Sequence, residues 1–197
     1  MPFTVLFVCT GNVCRSPSAE LLFQASVGAR EDVVVHSAGT HALVNAGIDG
    51  STATVLSRLG FDPTRHRGSQ FQPPMARRAD LILTAAREHR DLVITLAPTA
   101  YRRTFTMKEF ARLLHAIPAG TDPRGVVEAA HLARPMLGPV PAAEDDIPDP
   151  FRGTVTRAWD VAEQVVAAVG ATARGLGLLH SAGAPPDAPS AHRSGSR

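Results

Sequence analysis

The sequence predicts an α/β fold, a three-layer sandwich in which a four-stranded parallel sheet is flanked by helices. Three observations predict it. Short apolar runs rich in β-branched residues recur at Val5–Val8, Val33–His36 and Asp80–Thr84, each ended by turn residues. Segments with helical spacing of apolar residues lie between them. The first run leads into C-T-G-N-V-C-R-S-P (Cys9 to Pro17), a strand, a tight loop and a helix start. This is an anion-binding layout, because successive loop N–H groups and a helix N-terminus point the same way.

The elements follow in chain order. After Val5–Val8 the helix is expected near Ser16, with Ser16 as its cap and Pro17 at its first position. Ala19, Leu21, Leu22, Phe23 and Ala25 give that helix its apolar side. Val33–His36 leads into S-A-G-T (Ser37 to Thr40). A strand, helix and parallel strand in this order form a right-handed unit, with the Cys9 loop at a strand C-terminus, the edge where ligands bind in open α/β sheets. Thr52–Leu59 reads as a helix stopped by Gly60, and Arg87–Val93 as a helix after the third strand. Thr104–Thr106 is the fourth, short strand, and Lys108–Ala116 is a helix. Residues 118 to 143 are irregular, with a helix at Arg124–Leu132, and an acidic loop follows at Glu144 to Phe151. Val155–Val169 is an amphipathic helix with Val155, Trp159, Ala162, Val166 and Val169 on one side. The expected domain is 1–175, with 98–143 as a possible insertion and 180–197 as a disordered tail of Pro, Ser, Gly and Ala.

Composition narrows the function classes. A hydrophobic share of 44% and a charged share of 19% suit one globular core. The net charge is only +2 and the signs are mixed, so nucleic acid is not an expected partner. The N-terminal apolar run is too short for a signal peptide or a membrane span, so the expected location is cytoplasmic and no membrane partner is implied. The two cysteines, Cys9 and Cys14, are too few for a disulfide scaffold. No histidine stands at a spacing that completes a zinc site with them. Neither metal nor other cofactor is expected, and no oligomeric state is legible.

The residues at Cys9 to Arg15 carry the chemistry. Cys9 and Arg15 enclose five residues, a C-x5-R spacing. A loop of inward N–H groups stabilises a thiolate at its floor, which makes that cysteine a nucleophile. Arginine offers a planar fork that matches two oxygens of a tetrahedral anion. C-T-G-N-V-C-R-S-P-S-A-E, with the strand before it, resembles the phosphate-binding loop of the low-molecular-weight protein tyrosine phosphatases. Ser37–Thr40, His66-Arg67, Ala79–Thr84 and D-I-P-D-P-F at Asp146–Phe151 match the family's further landmarks in order.

The resemblance implies a cytoplasmic bacterial protein-tyrosine phosphatase that hydrolyses phosphomonoesters through a phosphocysteine intermediate, with a phosphorylated protein as partner. Cys9 is then the nucleophile, Arg15 the phosphate grip and Asp149 the acid and base. The backbone of Thr10, Gly11, Asn12, Val13, Cys14 and Arg15 forms the phosphate cradle. Ser16 hydrogen-bonds the Cys9 thiolate. Ser37 and His66 support the loop, His66 through Ser37 or Asn12. Cys14 packs under the loop or pairs reversibly with Cys9. His89, His115 and His131 read as surface residues.

Where the family's tyrosine pocket carries aromatic walls, this chain has Leu43, Phe151 and Arg152. Val13 stands where the family's phosphoarginine-specific branch bears threonine, and it offers no hydrogen bond to a guanidinium. A phosphoarginine phosphatase and an arsenate reductase on the same fold are the enzymatic alternatives. The second needs further cysteines, and none follows Cys14. A non-catalytic phosphate-binding module is the third, and it has no use for an acid at Asp149.

Overall fold

The apolar run near the N-terminus becomes the strand on which the sheet is built. The computed structural model describes residues 1–118, 122–138 and 140–180. In it β1 spans Phe3–Cys9 and pairs in parallel with β2 (Val33–Gly39) on one side and β3 (Leu81–Thr84) on the other. β4 (Thr104–Thr106) completes the order β2-β1-β3-β4, with all pairings parallel. Side chains alternate across a strand, so β1 is apolar on both faces for a reason. Val5, Phe7 and Cys9 enter the main core with the helices α1, α5, α6 and α8, at Arg15–Val27, Met107–Ala116, Pro123–Ala133 and Val155–Gly175. Leu6 and Val8 enter a second, smaller core on the opposite face with Ala76 of α3 (Pro73–Arg78) and Val93 of α4 (Arg87–Leu96). Helix, sheet, helix is the expected three-layer sandwich. α2 (Gly50–Arg58) lies against α8 through Val55, Ala158 and Ala162, and α7 (Ala142–Asp145) is a single turn before the acid loop.

Several expectations are corrected in detail. α1 starts at Arg15, one residue before the expected cap, and its N-cap is Cys14 with no side-chain capping bond. The Ser16 hydroxyl is committed elsewhere, within the loop itself. Ala25 is exposed, and Ser26 and Val27 replace it on the buried side of α1. The buried stripe of α8 runs through Ala158, Val161, Ala162, Val165, Ala168 and Val169, and Trp159 sits at its half-buried margin. The helix continues to Gly175, and Leu176 and Leu178 beyond the expected domain end are buried in the main core.

Segment 98–143 supplies β4, α5 and α6. Phe105, Phe110, Leu113, Val126, Val127 and Ala130 sit in the main core. α5 begins with a reciprocal capping box between Thr106 and Glu109. At the start of the expected tail, the His180 N–H donates to the Ser26 carbonyl; residues 181–197 lie outside the described residues.

The C-terminal ends of all four strands share one edge. There β1 ends at Cys9 and β2 ends at Gly39. A Cβ on Gly39 would lie 2.4 Å from the Thr10 carbonyl oxygen, so only glycine lets the loop after β1 approach β2 this closely.

Candidate active site

The loop after β1 is held by side chains that it supplies itself and by others brought to it. Asn12 has a φ of 54°, a left-handed conformation that asparagine tolerates. Its fully buried amide Nδ2 donates to Ser16 Oγ at 2.9 Å and to Ser37 Oγ at 2.8 Å, and its Oδ1 accepts from the Ser69 N–H at 2.8 Å. His66 Nε2 donates to the Asn12 carbonyl at 2.7 Å, so of the two expected routes of support it is Asn12 that His66 uses. Ser37 Oγ donates to Glu20 Oε2 at 2.6 Å. A backbone N–H only donates, so Ser69 fixes the Asn12 amide with Oδ1 toward itself and the donor-only Nδ2 toward Ser16 and Ser37, and the Glu20 carboxylate takes the Ser37 proton. Ser37 gives its proton to Glu20 and accepts from Asn12, and Asn12 spends its second N–H on Ser16. The Ser16 proton is left for Cys9 Sγ at 3.0 Å, nearer than the competing Ala38 carbonyl at 3.4 Å. Cys9 thus receives a hydroxyl donor whose orientation the Asn12 amide dictates.

Arg15, the first residue of α1, is almost wholly buried. Nη1 donates to the Ile147 carbonyl at 3.0 Å, while Nη2 donates to Thr10 Oγ1 at 3.3 Å and pairs with Asp149 Oδ2 at 3.0 Å. The acidic run sorts itself by partners. Asp145 pairs with Arg112 at 2.7 Å, and Asp146 accepts from the Arg87 N–H at 2.8 Å, tying the loop to the start of α4. Asp149 is the one turned to the cysteine. Its side chain is 48% exposed, and its Oδ1 accepts from the Phe151 N–H at 3.2 Å.

These groups meet in a cleft of about 200 Å³. Its floor and sides are Cys9, Thr10, Gly11, Val13, Cys14 and Arg15, and its rim is His41, Leu43, Asp149 and Phe151. Asn12, Ser16, Ser37 and His66 lie behind it as supports. Leu43 and Phe151 are 45% and 38% exposed, apolar surface left open beside the thiol. Arg152, expected as a wall, does not line the cleft. Its guanidinium lies 5.1 Å over the Phe151 ring, and its N–H donates to Asp49 Oδ1 at 3.3 Å. Both cysteines are free, and burial pushes the Cys14 thiol up to about 12, which keeps it protonated near neutral pH.

His89, expected on the surface, is 2% exposed, with Nε2 2.8 Å from Thr10 Oγ1. It was missed because only the parallel order of β1 and β3 brings the start of α4 beside the Cys9 loop. Glu20 carried a usable signal: it stands one helical turn after Ser16 on the same helix. His41 carried none beyond its closeness to Ser37–Thr40.

A family model for the low molecular weight phosphotyrosine protein phosphatases matches residues 4–118. The chain belongs to this family. Its members are hydrolases that use a cysteine nucleophile. A protein-arginine-phosphatase of Geobacillus stearothermophilus is 33% identical to this member over 150 residues, 75% of this chain and 90% of that protein. The low molecular weight protein-tyrosine-phosphatase Etp of Escherichia coli K12 is 39% identical over 101 residues, 51% of this chain and 66% of that one. Among solved structures, the YwlE arginine phosphatase of Geobacillus stearothermophilus superposes with a TM-score of 0.69 at 27% identity, covering 89% of this chain and 94% of that one. The tyrosine phosphatase Wzb of Escherichia coli K30, in complex with sulphate, has a TM-score of 0.67 at 26% identity, covering 89% of this chain and 99% of that one. The low molecular weight phosphatase fold therefore accounts for most of the described chain.

Proposed function

We propose that this phosphatase removes phosphate from phosphotyrosine in proteins, with Cys9, Arg15 and Asp149 as its catalytic residues. One observation supports the reading above others: a thiol, a buried guanidinium and a half-exposed carboxylate share a narrow cleft whose rim carries two apolar side chains, Leu43 and Phe151. An aryl phosphate fits that combination, with its ring between the apolar walls and its phosphate at the floor.

In the first step Cys9 Sγ, as thiolate, attacks phosphorus. The S–P bond forms while the P–O bond to the phenol breaks, and Asp149 gives its proton to the leaving oxygen. Arg15 and the N–H groups of Thr10 to Arg15 hold the equatorial oxygens and the charge that develops on them. In the second step Asp149, now a carboxylate, takes a proton from water as the water oxygen attacks phosphorus. The S–P bond breaks, inorganic phosphate is released, and the Ser16 hydroxyl stabilises the departing Cys9 thiolate. The pairing of Asp149 with Arg15 keeps the acid above the cradle. Two free thiols suit the reducing cytoplasm, which is the location we infer.

A second reading, phosphoarginine as the substrate residue, is favoured by the arginine phosphatase relative that spans most of this chain. Val13, buried in the cleft wall, speaks for the aryl substrate, because it offers a guanidinium nothing to bond. Hydrolysis of 4-nitrophenyl phosphate by the native chain is the first test, and its absence would remove the phosphatase reading. The ratio of turnover on phosphotyrosine and phosphoarginine peptides decides between the two. A tenfold preference for phosphoarginine overturns the tyrosine assignment.

A further inference from the structure

His89 is the one fully buried histidine among the described residues, and the mechanism above gives it no part. Burying an imidazole is unfavourable unless its nitrogens are bonded. Nδ1 has no hydrogen-bond partner among the described residues, and the Glu88 carboxylate, 3.5 Å from Nε2, is itself largely exposed. The one close bond is from Nε2 to Thr10 Oγ1, at 2.8 Å. The same Thr10 oxygen accepts from Arg15 Nη2 at 3.3 Å. Thr10 belongs to the cradle and lines the cleft, whereas His89 belongs to α4 on the far side of the loop.

We propose that His89 is a positioning residue for phosphate binding: it locks the Thr10 hydroxyl, and the locked hydroxyl holds the Arg15 fork in the plane that meets phosphate. This rests on the phosphatase reading of the Cys9 site. The reason lies in how Arg15 is anchored. Of its three polar contacts, the one to Asp149 is to a half-exposed loop carboxylate that the reaction itself employs. The permanent anchors are the Ile147 carbonyl and the Thr10 hydroxyl. A carbonyl is fixed by its backbone, but a hydroxyl rotates freely unless a second partner holds it. His89 is that partner, and being buried in a helix it does not move with the acid loop. Burial, and then the nearby Arg15 charge, lower the His89 pKa to about 4, so the ring is neutral at working pH and adds no second cation behind Arg15.

The test measures the Kd of inorganic phosphate by calorimetry, beside kcat and KM for 4-nitrophenyl phosphate. His89→Leu is expected to weaken phosphate binding about tenfold and to raise KM more than it lowers kcat. Thr10→Val should do the same. In the Thr10→Val background, His89→Leu should add less than about twofold, because the bond it removes is already gone. His89→Gln, whose amide reaches the position of Nε2, should recover most of the lost affinity. His89→Asn, whose amide stands at Nδ1, should not. Additive losses in the double variant, or equal behaviour of Gln and Asn, reduce His89 to a structural residue and overturn the proposal. If His89→Leu does not fold, the Gln and Asn pair with Thr10→Val decides alone. Phosphate binding is read without turnover, so an inactive native chain would defeat the phosphatase reading while these affinities still judge His89.

Discussion

The two loops that face each other across the cleft are built on opposite plans. The cradle, Cys9 to Ser16, is buried apart from the half-buried Thr10 and Gly11, and Asn12, Ser16, Ser37, Glu20 and His66 bind it in a continuous chain of hydrogen bonds. The acid loop is anchored at Asp145 and Asp146 but carries Asp149 half-exposed at its tip, held by Arg15 and by its own Phe151 N–H. The difference matches the two tasks proposed for them. Donors that meet a developing charge act best when they need not reorganise, so rigidity belongs under the phosphate. An acid that gives a proton to one oxygen and later takes one from water needs solvent access and some freedom.

Breaking the rigid side at its centre has the largest expected effect. Cys9→Ser should lower kcat for 4-nitrophenyl phosphate by about 10⁴-fold or more, since a serine hydroxyl is a far weaker nucleophile and a far poorer leaving group than a thiolate. Phosphate affinity should survive, which calorimetry can check. Asp149→Ala should come next, lowering kcat by roughly 10²–10⁴-fold on phosphotyrosine and by much less on substrates with a low-pKa phenol. A flat response across leaving groups would remove Asp149 from the acid role. Asn12→Ala breaks three buried bonds at once and forfeits the left-handed preference of asparagine. About 2–3 kcal/mol of stability should be lost, read from urea denaturation, together with tenfold or more in kcat. Glu20→Gln should cost less, because an amide oxygen can still accept from Ser37 and the Asn12 amide keeps its orientation.

The last expected effect concerns pH. His89 has a pKa of about 4 in the folded chain against about 6.5 when unfolded. Arg15 opposes its protonation, and Asp149 and Asp146 favour it. Between those values the unfolded chain binds the extra proton, so the His89 contribution is fully present above about pH 6.5 and is lost as pH falls toward 4. Stability measured across that window should decline more steeply for the native chain than for His89→Gln, by at most about 3 kcal/mol. Parallel curves would mean that the histidine is not buried neutral.

The cradle was legible in the sequence because its parts are contiguous. Cys9 to Arg15 spans one loop, so spacing alone implies the geometry, and the apolar run before it marks the strand that presents it. The sheet was legible for a similar reason: strands apolar on both faces read as continuous runs. The start of α1 was misjudged because Ser16-Pro17 is a strong capping signal, yet the Ser16 hydroxyl bonds Cys9 and Asn12 instead. Asp149 could be picked from its acidic neighbours by context, but the reason it faces the cysteine is that Arg112 and Arg87 restrain the others. The family resemblance places Arg152 in the pocket wall, but its backbone has a φ of 54° and its guanidinium lies over the Phe151 ring, outside the cleft lining.

What the sequence determined by itself is the anion site: a cysteine, a planar cation and a helix start within one short loop define it wherever the rest of the chain goes. Tertiary structure decided the environment of that site. Glu20 and Ser37 close the hydrogen-bond chain behind the loop from separate elements, Leu43 and Phe151 line the rim from distant loops, and His89 reaches Thr10 only because β3 pairs beside β1. Those contacts join residues far apart in the chain, whose distance is set by sheet order and not by any spacing along it.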